Sequence, residues 1–358
     1  MAVELLTSDQ LLAGFSESDP TSFVRTWDFQ RFQYFVAAGG ASPTTLEDAS
    51  GQAQWDAEMS FALKQYIKST SPKVVGIMGG HAISRGEAAY PIIAKLSRQL
   101  TQAGYFIVTG GGPGAMEAGH LGAAFANSTD ESFNRALLEL AASGGSVPSG
   151  SMVDPKTGQI LPGQEAQIAA AHTWLLGAVR AKALVDSEMG KSLAIPTWLY
   201  GQEPTTPLAS SYAKYYQNSI REETLIANGR VGMLYAKGGG GTLREIFQDV
   251  EINYYVQTHE NFIPMFFVDP LGFWQTEAKY DAQGQTTTPG IKVDEILKKA
   301  FRYALGAQLF SQCEYKLRFT TDFEEIRAVL DVHAPVAAEA MRLMTTGTAG
   351  VLMRLRRR

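Results

Sequence analysis

The sequence has very little cysteine: Cys313 stands alone among 358 residues, so no disulfide can form within the chain and no cysteine-based metal cluster is available. Long hydrophobic runs are also missing, because no stretch approaches 18 uninterrupted apolar residues, and we therefore expect no membrane-spanning helix. The opening decapeptide MAVELLTSDQ lacks the basic region and apolar run of a secretion signal. Together these absences predict a cytoplasmic protein.

An excess of positive charge is the third absence. The chain carries 31 Lys and Arg against 36 Asp and Glu, a formal net charge of −5, which argues against a dedicated nucleic-acid binder. One basic run closes the sequence at 354–358, and we interpret it as a solvated tail rather than a membrane or nucleic-acid contact. The five histidines show no metal-ligand spacing, so we expect neither a metal nor a cofactor.

From Pro72 onward, short apolar runs alternate with helical stretches, a succession that predicts a parallel sheet with helices on both faces. The predicted strands lie at 74–78, 105–108, 193–195, 231–236, 262–268 and 315–319. The predicted helices lie at 88–102, 164–187, 212–227 and 243–255, with a last one from a capping box at 321–324 to about 330. The fold class is therefore α/β, with a doubly wound, mostly parallel, Rossmann-like sheet.

Three domain segments follow from these patterns. Residues 1–70 form a helical N-terminal extension, with clustered aromatics that indicate packing against a core or a partner subunit. Residues 71–335 form the Rossmann-like nucleotide-binding domain, with an insertion at about 127–190, and 336–358 form a C-terminal helix or tail. The extension could cap a pocket, alter its preference for a base or build an oligomer.

Glycine-rich segments follow three of the predicted strands, at 79–80, 110–114 and 238–241. Ligands of open parallel sheets bind at this edge, and glycine lets backbone N–H groups approach a phosphate at the start of the next helix. Residues 110–115 formally satisfy the G-x-G-x-x-A dinucleotide pattern, but Asp130 and Glu131 sit in a predicted loop rather than at a strand end, which disfavours a dehydrogenase. The segment at 238–241 is not a Walker A motif, since no Gly-Lys-Ser/Thr follows. A plain strand-to-helix turn remains the alternative for each.

Taken together, TGGGPGAMEA at 109–118 and GGGGTLRE at 238–245 resemble the paired GGGxGxMEA and PGGxGTxxE signatures of the Lonely Guy (LOG) family. The resemblance spans roughly 73–335 and implies a Rossmann-type protein that hydrolyses nucleoside 5′-monophosphates to a free base and ribose 5-phosphate. Three positions depart from the family pattern. Lys237 replaces the proline of the second motif, Arg221 aligns with the family arginine only with a one-residue insertion, and Glu222 replaces the lysine after it.

The resemblance implies roles for individual residues. Glu245, one turn into the helix after the second motif, is the expected catalytic acid, and Arg221 would hold the phosphate or orient Glu245; a glutamate paired with the helix dipole and a surface charge are the alternatives. Thr242 would bind the phosphate or only cap the helix, and Met116 would line the pocket or pack in the core. His81 would flank the ligand. The expected phosphate and nucleotide contacts are Gly79, Gly80, Thr109, Gly110, Gly111, Gly112, Gly114, Met116, Glu117, Gly238, Gly239, Gly240, Gly241 and Thr242.

The leading function is therefore a metal-independent glycosidase acting on a nucleoside 5′-monophosphate. A non-catalytic protein that binds or senses nucleotides through the same pocket is the alternative. An amino-acid decarboxylase using pyridoxal phosphate is disfavoured, with Lys237 as the nearest candidate for its lysine. By analogy with the family we expect a homodimer or higher homo-oligomer; the glycine motifs contain no information on which base is accepted.

Overall fold

A computed structural model of the chain describes residues 4–70, 73–148 and 150–345. Within these ranges the helices are α1 (Ser8–Leu11), α2 (Trp27–Ala37), α3 (Leu46–Thr70), α4 (Ala89–Gln102), α5 (Ala115–Ala124), α6 (Asp130–Ala142), α7 (Glu165–Ala183), α8 (Asn218–Asn228), α9 (Gly240–Tyr254), α10 (Val293–Cys313) and α11 (Phe323–Thr345). The strands are β1 (Val74–Met78), β2 (Phe106–Thr109), β3 (Ser192–Ala194), β4 (Ser211–Tyr212), β5 (Gly232–Ala236), β6 (Met265–Val268), β7 (Lys279–Tyr280), β8 (Thr286–Thr288) and β9 (Leu317–Phe319).

Seven strands form one parallel sheet in the order β4-β3-β2-β1-β5-β6-β9, and β7 and β8 form a separate antiparallel hairpin. The central strand β1 pairs with β2 on one side and with β5 on the other. The chain builds outward from β1 to β4, returns to the other side of β1 and builds outward again. The direction of winding therefore changes between β1 and β5, which is where open α/β sheets open a ligand crevice.

Helices cover both faces of the sheet because alternate strand residues point to opposite sides. On one face, Ile77 and Leu234 share a buried core with residues of α4, α5 and α11. On the other face, Met78 and Tyr235 share a core with residues of α3, α8, α9 and α10. Every residue of β1 and β5 is buried, as expected for strands covered on both sides. These two layers confirm the predicted doubly wound α/β class.

The N-terminal extension packs directly on this domain. Leu6 exchanges two 2.9 Å backbone hydrogen bonds with Tyr212, the last residue of the edge strand β4. Phe29, Phe32 and Phe35 of α2 are buried together with Trp198, which lies in the loop after β3. Since α3 also covers one sheet face, the predicted helical addition is present and is continuous with the core of the domain.

Several predicted boundaries were wrong. Tyr212 belongs to the edge strand β4, and the helix expected from 212 begins only at Asn218. Helix α9 begins at Gly240 rather than 243, so the glycines of the second motif form its first turn. Asp130 starts helix α6, capped by the Thr129 hydroxyl, so the chain has no strand there to complete a dinucleotide fingerprint.

Four elements of the described chain were not predicted, namely helix α6, the edge strand β4, helix α10 and the β7–β8 hairpin. Pro72 and the basic run at 354–358 lie outside the described residues, whereas α11 extends into the predicted C-terminal segment as far as Thr345. Among the helices of the described part of the chain, none combines the length and the apolar character that crossing a membrane requires.

Candidate functional site

A cleft of about 450 Å³ opens at the carboxyl edge of the sheet, at the point where winding changes direction. Its volume is in the range of small-molecule sites. Most of the residues expected to bind a nucleotide line this cleft, namely Gly79, Gly80, Gly110, Gly111, Gly112, Met116, Arg221, Gly238, Gly239, Gly240, Gly241, Thr242 and Glu245. Thr109, Gly114 and Glu117 do not line it. The fold thus brings together three loops that are far apart in sequence.

The loop after β5 presents the uncapped start of α9 to the cleft. Gly239 is the residue before the helix, and no side chain caps the helix start. A Cβ atom added at Gly239, Gly240 or Gly241 would meet no other atom within 4 Å, so the space beside this backbone is open. The first N–H groups of a helix lack intrahelical partners and carry its positive dipole end. This helix start can therefore accept an anion.

Thr242 lies in the first turn of α9, so it is not the N-cap that the alternative interpretation required. It is buried and borders the cleft. Its hydroxyl approaches the loop closely, because a Cβ atom on Gly238 would lie 2.1 Å from Oγ1. Gly238 is thus required by packing, and it places the Thr242 side chain beside the open backbone of Gly239–Gly241.

The loop after β2 is packed more tightly. Gly111 and Gly114 have φ values of 71° and 70°, a conformation that strongly favours glycine. A Cβ atom on Gly114 would lie 2.3 Å from the carbonyl oxygen of Gly80, and one on Gly110 would lie 2.5 Å from Arg221 Nη2. Gly80 in turn donates its N–H to the carbonyl of Lys237 at 2.9 Å. The three loops are therefore fixed against one another.

The side chain of Thr109, the last residue of β2, hydrogen-bonds to the loop that follows this strand. Its hydroxyl accepts a hydrogen bond from Gly111 N at 2.9 Å and contacts His120 Nε2 at 2.8 Å. His120 Nδ1 lies 2.9 Å from Ser192 Oγ on the neighbouring strand. Complete burial lowers the pKa of His120 to about 3, so the imidazole is neutral at physiological pH. Thr109, expected as a ligand contact, is instead connected to the cleft through Gly111.

Glu117 is held by a buried network outside the cleft. Its two carboxylate oxygens accept hydrogen bonds from Arg85 Nε and Nη2 at 2.8 and 2.7 Å, and Tyr90 donates a further bond at 2.8 Å. Arg85 also stacks on Trp174, 3.6 Å from the ring centroid. The carboxylate is fully buried and is already paired, so its position fits a structural partner of Arg85 rather than the ribose or base contact expected.

Glu245 and Arg221 meet in the cleft although they come from different helices. Arg221 on α8 donates from Nη1 to Glu245 Oε1 at 3.2 Å, and both side chains are 9% exposed. Burial raises the pKa of Glu245 from 4.5 to about 7; the Arg221 charge opposes this rise and the nearby Glu222 charge adds to it. A carboxyl group with this pKa can donate or accept a proton near neutral pH. Arg221 Nε is buried without a partner.

Glu222 brings a second carboxylate to the cleft. It is buried, its Oε1 accepts a hydrogen bond from Asn218 at 2.8 Å, and its Oε2 lies 3.0 Å from Arg244 Nε. The sequence marked this position only as a departure from the family lysine. In the structure, Glu222 adds a negative charge that acts on Glu245.

Residues 196–205, which follow β3, form the wall of the cleft beside the loop after β2. The sequence analysis did not predict a function for this segment. Its cleft-lining members are Pro196, Thr197, Tyr200, Glu203, Pro204 and Thr205. Burial raises the pKa of Glu203, and the neighbouring His81 opposes that rise. Both His81 and Lys237 line the cleft, and Lys237 Nζ lies 5.6 Å from the centre of the Phe273 ring. An aromatic and proline-rich segment after a strand was the available signal for this wall.

Across the described ranges, no group of three His, Cys, Asp or Glu side chains is arranged to hold a metal ion. The charged and polar groups that line the cleft include the start of α9, an arginine, a lysine and several carboxylates. Comparison with models of known families gives no match, and no curated protein matches the chain.

Proposed function

We propose that this protein hydrolyses the N-glycosidic bond of a nucleoside 5′-monophosphate, releasing the free base and ribose 5-phosphate. One observation supports this most: an uncapped helix start with three glycines facing open space lies one helical turn from the buried carboxyl group of Glu245. The resemblance of both motifs to the LOG family supports the same assignment, and we propose that the chain belongs to it.

The start of α9 is the proposed phosphate site. Backbone N–H groups at Gly240 and Gly241 would bind the phosphate oxygens, together with the Thr242 hydroxyl. The positive end of the helix dipole and the Arg221 guanidinium add favourable charge. A phosphate at this position puts the attached ribose next to the Glu245 carboxyl, because that side chain is on the next turn of the same helix.

Cleavage of this bond passes through a ribose with oxocarbenium character. In the proposed reaction, protonated Glu245 gives its proton to the departing base as the bond from C1′ to the base nitrogen breaks. Water attacks C1′, its oxygen forms the new bond, and its proton returns to the Glu245 carboxylate. Atoms and charge balance without an external reagent. Arg221 orients Glu245 and stabilises the ionised carboxylate that forms during the step.

The test is hydrolysis of a panel of purine and pyrimidine 5′-monophosphates, with free base measured by chromatography. Glu245→Gln should reduce release by about a thousandfold or more, because an amide cannot transfer the proton. Glu251→Gln is the matched control, since Glu251 is exposed on the same helix and should leave the rate unchanged. Equal rates for the wild type and Glu245→Gln would contradict the assigned mechanism.

A nucleotide-binding protein without turnover is the second candidate, favoured by Lys237 and Glu222, which line the cleft where the LOG pattern has proline and lysine. Binding of a 5′-monophosphate with no base release from any member of the panel would support this candidate over the enzyme. In either case we propose a cytoplasmic protein that forms a homodimer or higher homo-oligomer. Sedimentation of the purified protein would test the oligomeric state.

A further inference from the structure

Among the contacts between the N-terminal extension and the cleft is a carboxylate whose side chain is only 13% exposed. Asp28, in the first turn of α2, accepts two hydrogen bonds from Lys214 Nζ, at 2.6 and 2.8 Å. It also accepts hydrogen bonds from Trp198 Nε1 at 3.0 Å and Thr205 Oγ1 at 2.9 Å. Trp198 and Thr205 belong to the 196–205 wall of the cleft. A single side chain of the extension therefore holds this wall at two points.

Lys214 strengthens the connection because it has little contact with water. Its side chain is 1% exposed and its ammonium group also donates to Thr205 Oγ1 at 2.7 Å. It lies 5.3 Å from the centre of the Trp198 ring. Desolvation of a buried cation is costly unless an anion pairs with it, and Asp28 is that anion. Because Asp28 and Lys214 both hydrogen-bond to Thr205, a shift of the wall would disturb this charge pair.

Close packing adds to these polar contacts. A Cβ atom on Gly201, within the same wall, would lie 2.4 Å from Phe32 Cδ2 on α2, so glycine allows the helix to approach. Trp27 and Trp55 of the extension contact Trp198, with ring centroids 6.2 and 5.7 Å apart. No residue of the extension between 4 and 70 contributes to the lining of the cleft, which begins at Gly79. The contacts of Asp28 would therefore influence a ligand through the wall.

We propose that Asp28 is a positioning residue, which fixes the 196–205 wall so that the nucleoside part of the substrate meets a preformed surface. This proposal rests on the proposed function for the identity of the ligand. The phosphate and the reacting bond are assigned to α9 and Glu245 rather than to this wall. Loss of Asp28 should therefore weaken substrate binding more than it slows the chemical step.

The experiment compares Asp28→Asn with Asp19→Asn, the same change at an exposed position of the same segment. Asp28→Asn should raise KM for a nucleoside 5′-monophosphate about tenfold and leave kcat within about twofold, because mobile wall conformations reduce the binding-competent fraction. Hydrogen–deuterium exchange of segment 196–205 should become at least about threefold faster in the same variant. Asp19→Asn should change neither quantity.

Lys214→Met is a second variant for the case in which Asp28→Asn does not fold, because it removes the buried cation together with its need for a partner. It should also raise KM and accelerate exchange. Exchange is measured without nucleotide, so it separates the two proposals. Faster exchange in a protein that cleaves no nucleotide would support the positioning role and contradict the proposed function. Wild-type exchange and KM in folded variants would overturn the positioning role.

Discussion

In the loop after β2, the glycines are required by the protein's own backbone and packing, whereas in the loop after β5 three glycines face open space. Gly111 and Gly114 have positive φ values, and Gly114 packs against the carbonyl oxygen of Gly80. Gly239–Gly241 have no positive φ and no atom within 4 Å of an added Cβ. The requirements of folding alone thus explain the glycines of the loop after β2. We propose that the glycines of the loop after β5 are explained by a ligand that approaches from the cleft.

This difference assigns separate tasks to two motifs that look alike in sequence. The loop after β2 is a rigid support, held from below by Thr109 and His120. The loop after β5 is the surface that we propose binds an anion. Arg221 joins them, because its guanidinium lies against Gly110 and donates a hydrogen bond to Glu245.

The largest effect is expected from Arg221→Lys, which breaks this junction. Lysine has no planar fork and cannot contact Gly110 and Glu245 in the same way, so kcat/KM for a 5′-monophosphate should fall about a thousandfold. Steady-state assay of base release measures the loss. Arg327→Lys, at a half-exposed position on α11, is the control and should match the wild type. An unchanged rate in Arg221→Lys would show that the guanidinium serves only packing.

Gly114→Ala tests the support loop. The φ of 70° and the 2.3 Å approach to the Gly80 carbonyl oxygen should lower the free energy of unfolding by about 3 kcal/mol. Urea denaturation measures this change. Gly104→Ala provides the comparison, because Gly104 has φ 85° and open space, and its cost should be only about 1 kcal/mol. Equal costs at the two positions would mean that close packing of the loops is unimportant.

The pH dependence of stability tests the environment of Glu245. Its folded-state pKa of about 7 exceeds the ordinary value of 4.5, so folding favours the neutral carboxyl and stability is lost as pH rises from 4.5 to 7. Glutamine cannot ionise, so Glu245→Gln should be more stable than the wild type by about 3 kcal/mol at pH 8, with little difference at pH 4. Thermal unfolding at both pH values measures this. A pH-independent difference would contradict the raised pKa, and Glu251→Gln controls for the loss of charge.

Gly240→Ala tests the open loop and should have the smallest effect. The added methyl group meets no protein atom, so stability should be unchanged or slightly higher. It would occupy space next to the proposed phosphate, so the Kd for a 5′-monophosphate should rise about tenfold. Calorimetric titration measures the Kd. Unchanged binding would remove the distinction between the two loops.

Five of the six predicted strands could be recognised because each is a short apolar run followed within two residues by glycine or proline. The edge strand β4 could not, since it has only two residues and its pairing partners are 18 residues earlier in β3 and at Leu6. Helix α10 contains Gly306 in a non-helical conformation, which interrupts the pattern that would reveal it. Sequence patterns therefore predicted the elements with a continuous local pattern and missed those that depend on distant pairing or contain a break.

The site was predictable to a similar extent. The glycine motifs were recognised by their position after predicted strands, and Glu245 was assigned from the resemblance to the LOG family. Glu117 was assigned to the ligand because nothing local shows that Arg85, 32 residues earlier, pairs with it. The same limit applies to Asp28, whose partner Lys214 is 186 residues away. Long-range partners of charged residues arise from the tertiary fold, and no local pattern encodes them.

The most direct measurement compares base release from a nucleoside 5′-monophosphate and from the corresponding nucleoside without phosphate. If the open start of α9 binds the phosphate and presents the ribose to Glu245, the monophosphate should be cleaved and the nucleoside should not. The products should be the free base and ribose 5-phosphate. Equal cleavage of both compounds would contradict the assignment of α9 as the phosphate site, and cleavage of neither would contradict the proposed enzyme.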